Sequence, residues 1–196
     1  IIDLSQTGAQ PMSTHDECLW ITYNGEIYNY IELRAELSAL GHSFRSTSDT
    51  EVILAAYAEW GETCVNRFNG IWAFAIVDLK KNRLFCSRDR FGVKPFHYFH
   101  DGTRFVFGSE IKQLLSHSFV PRQANQRAIY EYLAFSAVDY CEETFFTSIY
   151  KLMQGHNLII DFATGKVVKT CYYQPRLEKN TRISYKEAAL EFRRLL

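Results

Sequence analysis

Asn24 and Gly25, within the run Tyr23-Asn24-Gly25-Glu26, set a side-chain amide beside a backbone N–H on a residue that has no Cβ. Two such donors can converge on one oxygen and stabilise the charge it gains when a carbonyl is attacked, the chemistry of an oxyanion hole. The same dipeptide is also a common hairpin turn, explained by backbone geometry alone. The next segment does not read as a second strand, because Leu33, Leu37 and Leu40 recur at helical spacing with Gly41 behind them as a stop. Asp49 carries two readings as well. As an acid in the first turn of a helix it is stabilised by the helix dipole, and as a site residue it would receive a substrate ammonium group through a charge-assisted contact. Glu26 either assists that contact or faces solvent.

Other reactive residue types form no comparable pattern. The segment Arg88-Asp89-Arg90-Phe91-Gly92-Val93-Lys94-Pro95 reads equally as a solvated connection or as an internal Arg-Asp brace for the site or a domain interface. The six histidines lack paired ligand spacing; His97 and His100 read as strand residues, and no metal site is expected. Cys18, Cys64, Cys86, Cys141 and Cys171 are scattered, with no C-x-x-C pair, which suits free thiols in a reducing compartment. No phosphate-binding loop, dinucleotide-binding turn or serine elbow occurs, so this stretch offers neither a phosphate cradle nor a recognisable nucleophile and no cofactor is expected in it.

The elements that must position these residues are set by periodicity. A strand over 19–23 runs into Asn24-Gly25, and a helix carrying Leu33 and Leu37 comes next. Ser48 and Glu51 have the spacing of a capping box ahead of a helix over 49–60, stopped by Gly61. The apolar run 70–77 and its return over 83–87 predict a hairpin buried on both faces. Strands over 96–100 and 104–107 flank Asp101-Gly102, helices are expected over 110–116 and 126–135, and a last hairpin spans 156–162 and 166–173. Residues 175–182 read as a linker before a new helix from Ser184. Strands and helices in separate blocks indicate an α+β layered fold.

With 196 residues, 47% hydrophobic and 15% aromatic, the chain can bury one sizeable core. Lysine and arginine number 22 against 22 acidic residues, which removes any bulk electrostatic case for a nucleic acid or an anionic membrane as partner. No apolar run approaches the roughly 20 residues that span a bilayer, and a cytoplasmic location is expected.

Taken together, YNGEIYN, GHSFRSTSDTEVIL, RFNGIWAFAIVD, SRDRFGVKPFHY, GSEIKQLL and KLMQGHNLIID, in this order, resemble the class II glutamine amidotransferase domain of glutamine-hydrolysing asparagine synthetases. The opening IIDLSQTGAQPM resembles the segment that precedes the oxyanion strand in that family. The resemblance covers the chain to about Tyr173. It implies a four-layer αββα sandwich of two antiparallel sheets, of the N-terminal nucleophile hydrolase type and lacking its first strand. Residues 1–175 would form the amidotransferase domain, and residues 176–196 a linker and the first helix of an ATP-dependent synthetase domain.

In the family, an N-terminal cysteine attacks the side-chain amide of glutamine, using its own α-amino group as base. The resemblance assigns Asn24 and Gly25 to the oxyanion. Asp49 and Glu26 would hold the α-amino end of glutamine, with backbone groups of Ile1 and Ile2 nearby. ATP, magnesium and aspartate would be bound by the synthetase domain, and a homodimer is left open. The chain starts at Ile1 without a methionine and stops inside a helical pattern, so both ends are expected to be cut. The nucleophilic cysteine, the arginine that clasps the glutamine carboxylate and the pyrophosphate loop are expected outside the sequence, and the chain alone is expected to be inactive. Relatives that pass ammonia to sugars, and a non-catalytic glutamine-binding or scaffold domain, stand as alternatives.

Overall fold

A computed structural model describes residues 2–3, 5–175 and 182–195. In chain order its elements are β1 (Met12–Ser13), β2 (Leu19–Ile27), α1 (Tyr30–Ala39), α2 (Asp49–Trp60), β3 (Gly70–Asp78), β4 (Arg83–Arg88), β5 (His97–His100), β6 (Phe105–Gly108), α3 (Ile111–Leu114), α4 (Gln126–Phe135), β7 (Ile149–Lys151), β8 (His156–Asp161), β9 (Val167–Cys171) and α5 (Tyr185–Leu195). Two antiparallel sheets result: six strands ordered β1-β2-β3-β4-β8-β9, and three ordered β6-β5-β7.

Alternation along β3 decides how the layers stack. Trp72, Phe74 and Ile76 face one side, where Leu33 and Leu37 of α1 and Val52, Ile53 and Ala56 of α2 cover them. Ala73 and Ala75 face the other, against Tyr98 and the partly buried Phe105 and Phe107 of the small sheet and Phe96 just before it. The far side of the small sheet, Phe99, Val106 and Ile149, is closed by Ile111 and Leu114 of α3 and by Val120. The layer order is therefore helix, sheet, sheet, helix, as the resemblance implies. Successive strand residues point to opposite faces, so an apolar run with no polar alternation belongs between two cores.

Several local expectations change. Asn24-Gly25 is not a turn: β2 continues through both, pairing Asn24 with Ala73 and Gly25 with Trp72, and ends at Ile27. A pairing partner along the whole segment overrides the local turn preference. Leu40 is 52% exposed rather than on the buried face of α1. It caps the helix, and the reversal at Gly41 (φ 99°) lets Gly41 N–H donate to Ser38 O and His42 N–H donate to Leu37 O. Half of the expected capping box forms at α2. Ser48 Oγ accepts from Thr50 N–H at 3.1 Å, but the Glu51 carboxylate turns to the backbone N–H groups of Arg45 and Ser46. The short strands β1 and β7 have no clear pattern of their own and exist through their neighbours. The expected linker falls largely on residues outside those described. No helix among the described residues is long and apolar enough to cross a membrane.

Candidate active site

The outer edge of β2 carries the features that matter. Trp72 N–H donates to Asp89 Oδ2 and Trp72 O accepts from Asp89 N–H, so the backbone polar groups of Trp72 point away from β2. Its partner Gly25 therefore directs its N–H to the open edge, as Tyr23 and Ile27 do. Tyr23 N–H is taken by Gln10 Oε1 at 2.6 Å, and Ile27 N–H by Asp49 Oδ2 at 2.9 Å. Gly25 N–H, between them, has no acceptor among the described residues. An unpaired donor on a half-buried strand is available to a ligand.

Glycine is needed here for space. A Cβ at position 25 would stand 2.2 Å from Ile71 O and 2.8 Å from both the Trp72 Cα and Tyr23 Cε2. Asn24 points to the opposite face, where its Nδ2 donates to Ser109 Oγ at 3.3 Å, across to the connection after β6. There a cavity of about 310 Å³ opens between the two sheets, lined by Gln10, Thr22, Asn24, Phe107, Ser109 and Gln113 among others. Ser109 is held in turn, since His97 Nδ1–H donates to its carbonyl at 3.0 Å. Burial lowers the pKa of His97, which favours this neutral donor form.

Asp49 opens α2 and is 5% exposed. Its Oδ2 accepts twice, from Tyr23 Oη and from Ile27 N–H, each at 2.9 Å. Its Oδ1 accepts from no described residue. Glu26 is exposed and has no partner among the described residues. Ile1 lies outside the described residues. Ile2 is half-buried, and the next residue ties this segment to the site: Asp3 Oδ2 accepts from Thr47 N–H at 3.3 Å, two residues before Asp49. Donors from Ser5 hold the Asp3 carboxyl down to about 2.

The charged loop after β4 is a brace. Asp89 is 1% exposed, and each of its oxygens takes two backbone N–H groups, Phe91 and Val93 on Oδ1, Trp72 and Lys94 on Oδ2. The Arg88 guanidinium donates to the carbonyls of Gly92, Lys94 and Leu152. Charge and Gly/Pro content marked the segment, but only the fold makes it an interior framework. Sequence reasoning missed Ser109 and Gln10 because each reaches the site across the fold, and it missed the part played by Tyr23 because its hydroxyl meets Asp49 only in the folded chain. Among the described residues no cysteine lines the cavity beside Asn24. Cys64 and Cys86 are buried, and desolvation raises both thiols far above the range in which a thiolate forms.

This edge and its flanking sheets define a class. Residues 1–173 match the glutamine amidotransferase domain family, and the chain belongs to it. Among curated proteins it is 48% identical over 133 residues to the glutamine-hydrolysing asparagine synthetase 3 of Bacillus subtilis (strain 168), covering 67% of this chain and 22% of that protein. It is 40% identical over 177 residues to asparagine synthetase 2 of the same organism, covering 88% and 23%. The chain thus spans less than a quarter of the length of these two relatives. The glutamine phosphoribosylpyrophosphate amidotransferase of B. subtilis shares the fold with a TM-score of 0.58 at 18% identity, over 87% of this chain and 33% of that one.

Proposed function

We propose that the chain is the glutaminase part of an asparagine synthetase, releasing ammonia from glutamine for the ATP-dependent amidation of aspartate. The unpaired Gly25 N–H on the β2 edge, beside the Asn24 amide and one strand step from Asp49, carries this reading. Two residues along a strand span roughly 6.7 Å. The five bonds between the amide oxygen and the α-nitrogen of an extended glutamine reach roughly 6 Å. Glutamine laid along the edge would bring its amide oxygen to Gly25 and its ammonium to the free oxygen of Asp49.

In this reading Asn24 Nδ2–H and Gly25 N–H take up the negative charge as a thiolate adds to the amide carbon, and hold it until ammonia leaves. The same donors serve again when water hydrolyses the thioester. Glu26 adds negative potential at the ammonium end, and backbone groups of Ile1 and Ile2 flank it. The nucleophile is an N-terminal cysteine supplied by sequence outside this chain, whose own cysteines sit elsewhere in the fold. Residues 1–175 form the amidotransferase domain, and 176–196 lead into a synthetase domain that binds aspartate, ATP and magnesium.

Ammonia release from glutamine by the full-length gene product tests the assignment. Asn24→Ala is expected to lower kcat about 10²–10³-fold; an unchanged kcat overturns the oxyanion role. Asparagine formation from aspartate and ATP tests the acceptor. Glutaminase activity without asparagine would point to another acceptor, such as a sugar.

A further inference from the structure

Two buried carboxylates in this fold are used differently. Asp89 fills both oxygens with backbone donors, as a structural anion should. Asp49, almost as buried, receives both of its donors on Oδ2 and leaves Oδ1 without one among the described residues. A carboxylate has about four acceptor sites, so the Oδ1 side of Asp49 stays open to a further donor, and this oxygen is not among the fully buried, unpartnered polar atoms.

One of the two donors reaches Asp49 by an unusual path. Tyr23 and Gly25 lie on the same face of β2, and the Tyr23 ring passes beside the Gly25 α-carbon, where a Cβ would come within 2.8 Å of Tyr23 Cε2. The hydroxyl then meets the carboxylate that also holds Ile27 N–H. The strand that carries this ring is held on the same edge, where the Tyr23 backbone N–H is taken by Gln10 Oε1. Burial first, and the negative charge of Asp49 second, raise the phenol pKa well above its ordinary value, so the hydroxyl remains a donor.

We propose that Tyr23 is a positioning residue for substrate selection: it pins Asp49 Oδ2 so that Oδ1 alone faces the edge and selects amides that carry a free α-ammonium group. The bare α-carbon of Gly25 then has two uses, the exposed N–H and the passage of this ring. The inference rests on the glutaminase reading above.

The test uses the full-length enzyme with glutamine and with 4-carbamoylbutanoate, which is glutamine without its α-amino group. Tyr23→Phe keeps the ring and removes only the donor. It is expected to raise KM for glutamine about tenfold with kcat within about twofold, since one hydrogen bond to a charged group is lost. The inhibition constant of 4-carbamoylbutanoate should stay unchanged, whereas general loosening of the pocket would weaken both ligands alike. Asp49→Asn should raise KM for glutamine in the same way, and adding Tyr23→Phe to it should cost nothing further. An unchanged KM in Tyr23→Phe, or equal losses for both ligands, overturns the proposal while leaving the glutaminase reading intact. Absence of ammonia release by the wild-type enzyme overturns that reading and the proposal together. If Tyr23→Phe does not fold, additivity of Gln10→Ala and Asp49→Asn on glutamine KM decides: coupling supports the linked arrangement and strict additivity rejects it.

Discussion

Asp89 and Asp49 show how much a residue's meaning depends on which atoms its oxygens meet. Both are acids beside polar, turn-rich sequence, and both are buried. Asp89 closes a loop by accepting four backbone N–H groups, and its replacement strands them in the interior. Asp89→Ala is therefore expected to destabilise the chain by at least about 3 kcal/mol, read from urea unfolding; a loss under about 1 kcal/mol would mean that water replaces the carboxylate. The sequence marked Asp49 and Asn24-Gly25 as candidates through residue type and the blocks around them. It could not separate Asp89 from a solvated loop acid, because its partners at Trp72 and Lys94 are brought together by tertiary structure.

At the scale of elements, α2 was legible almost to the residue. Its start is encoded locally by Ser48, whose side chain caps Thr50 N–H, and its stop by Gly61, whose φ of 59° suits glycine. Ser48→Ala should cost about 1 kcal/mol in unfolding free energy. Because the same turn carries Asp49, a larger loss accompanied by weaker glutamine binding would show that the cap also sets the site. The end of β2 was misread for the complementary reason. Asn-Gly favours a turn in isolation, but ladder partners from Ala73 to Gly70 hold the segment extended. α4 poses a question that no local rule answers: Tyr130, Leu133 and Phe135 are 63%, 76% and 71% exposed on a helix with no buried residue.

For the whole molecule, the decisive contact is between the two sheets. Small residues on the large sheet, Ala73 and Ala75, face aromatic residues in and just before the small one, with Phe96 and Phe107 stacked at 5.4 Å. Ala75 is 3% exposed, so Ala75→Leu would force the layers apart. A loss of about 1–3 kcal/mol is expected in chemical denaturation. The variant should also lower activity if the cavity beside Asn24 depends on sheet spacing, since Ala73 lines it with Phe96 and Phe107.

The sequence by itself determined the helices, most of the strands, the two-faced burial of β3 and the family, because these depend on periodicity and on blocks read in order. Tertiary structure alone decided that Asn24-Gly25 is strand, that the Gly25 N–H is left open at an edge, and that Tyr23 bonds Asp49 while Ser109 bonds Asn24. Each of those depends on which groups have already found partners. That is a property of register and packing, and no single stretch of chain contains it.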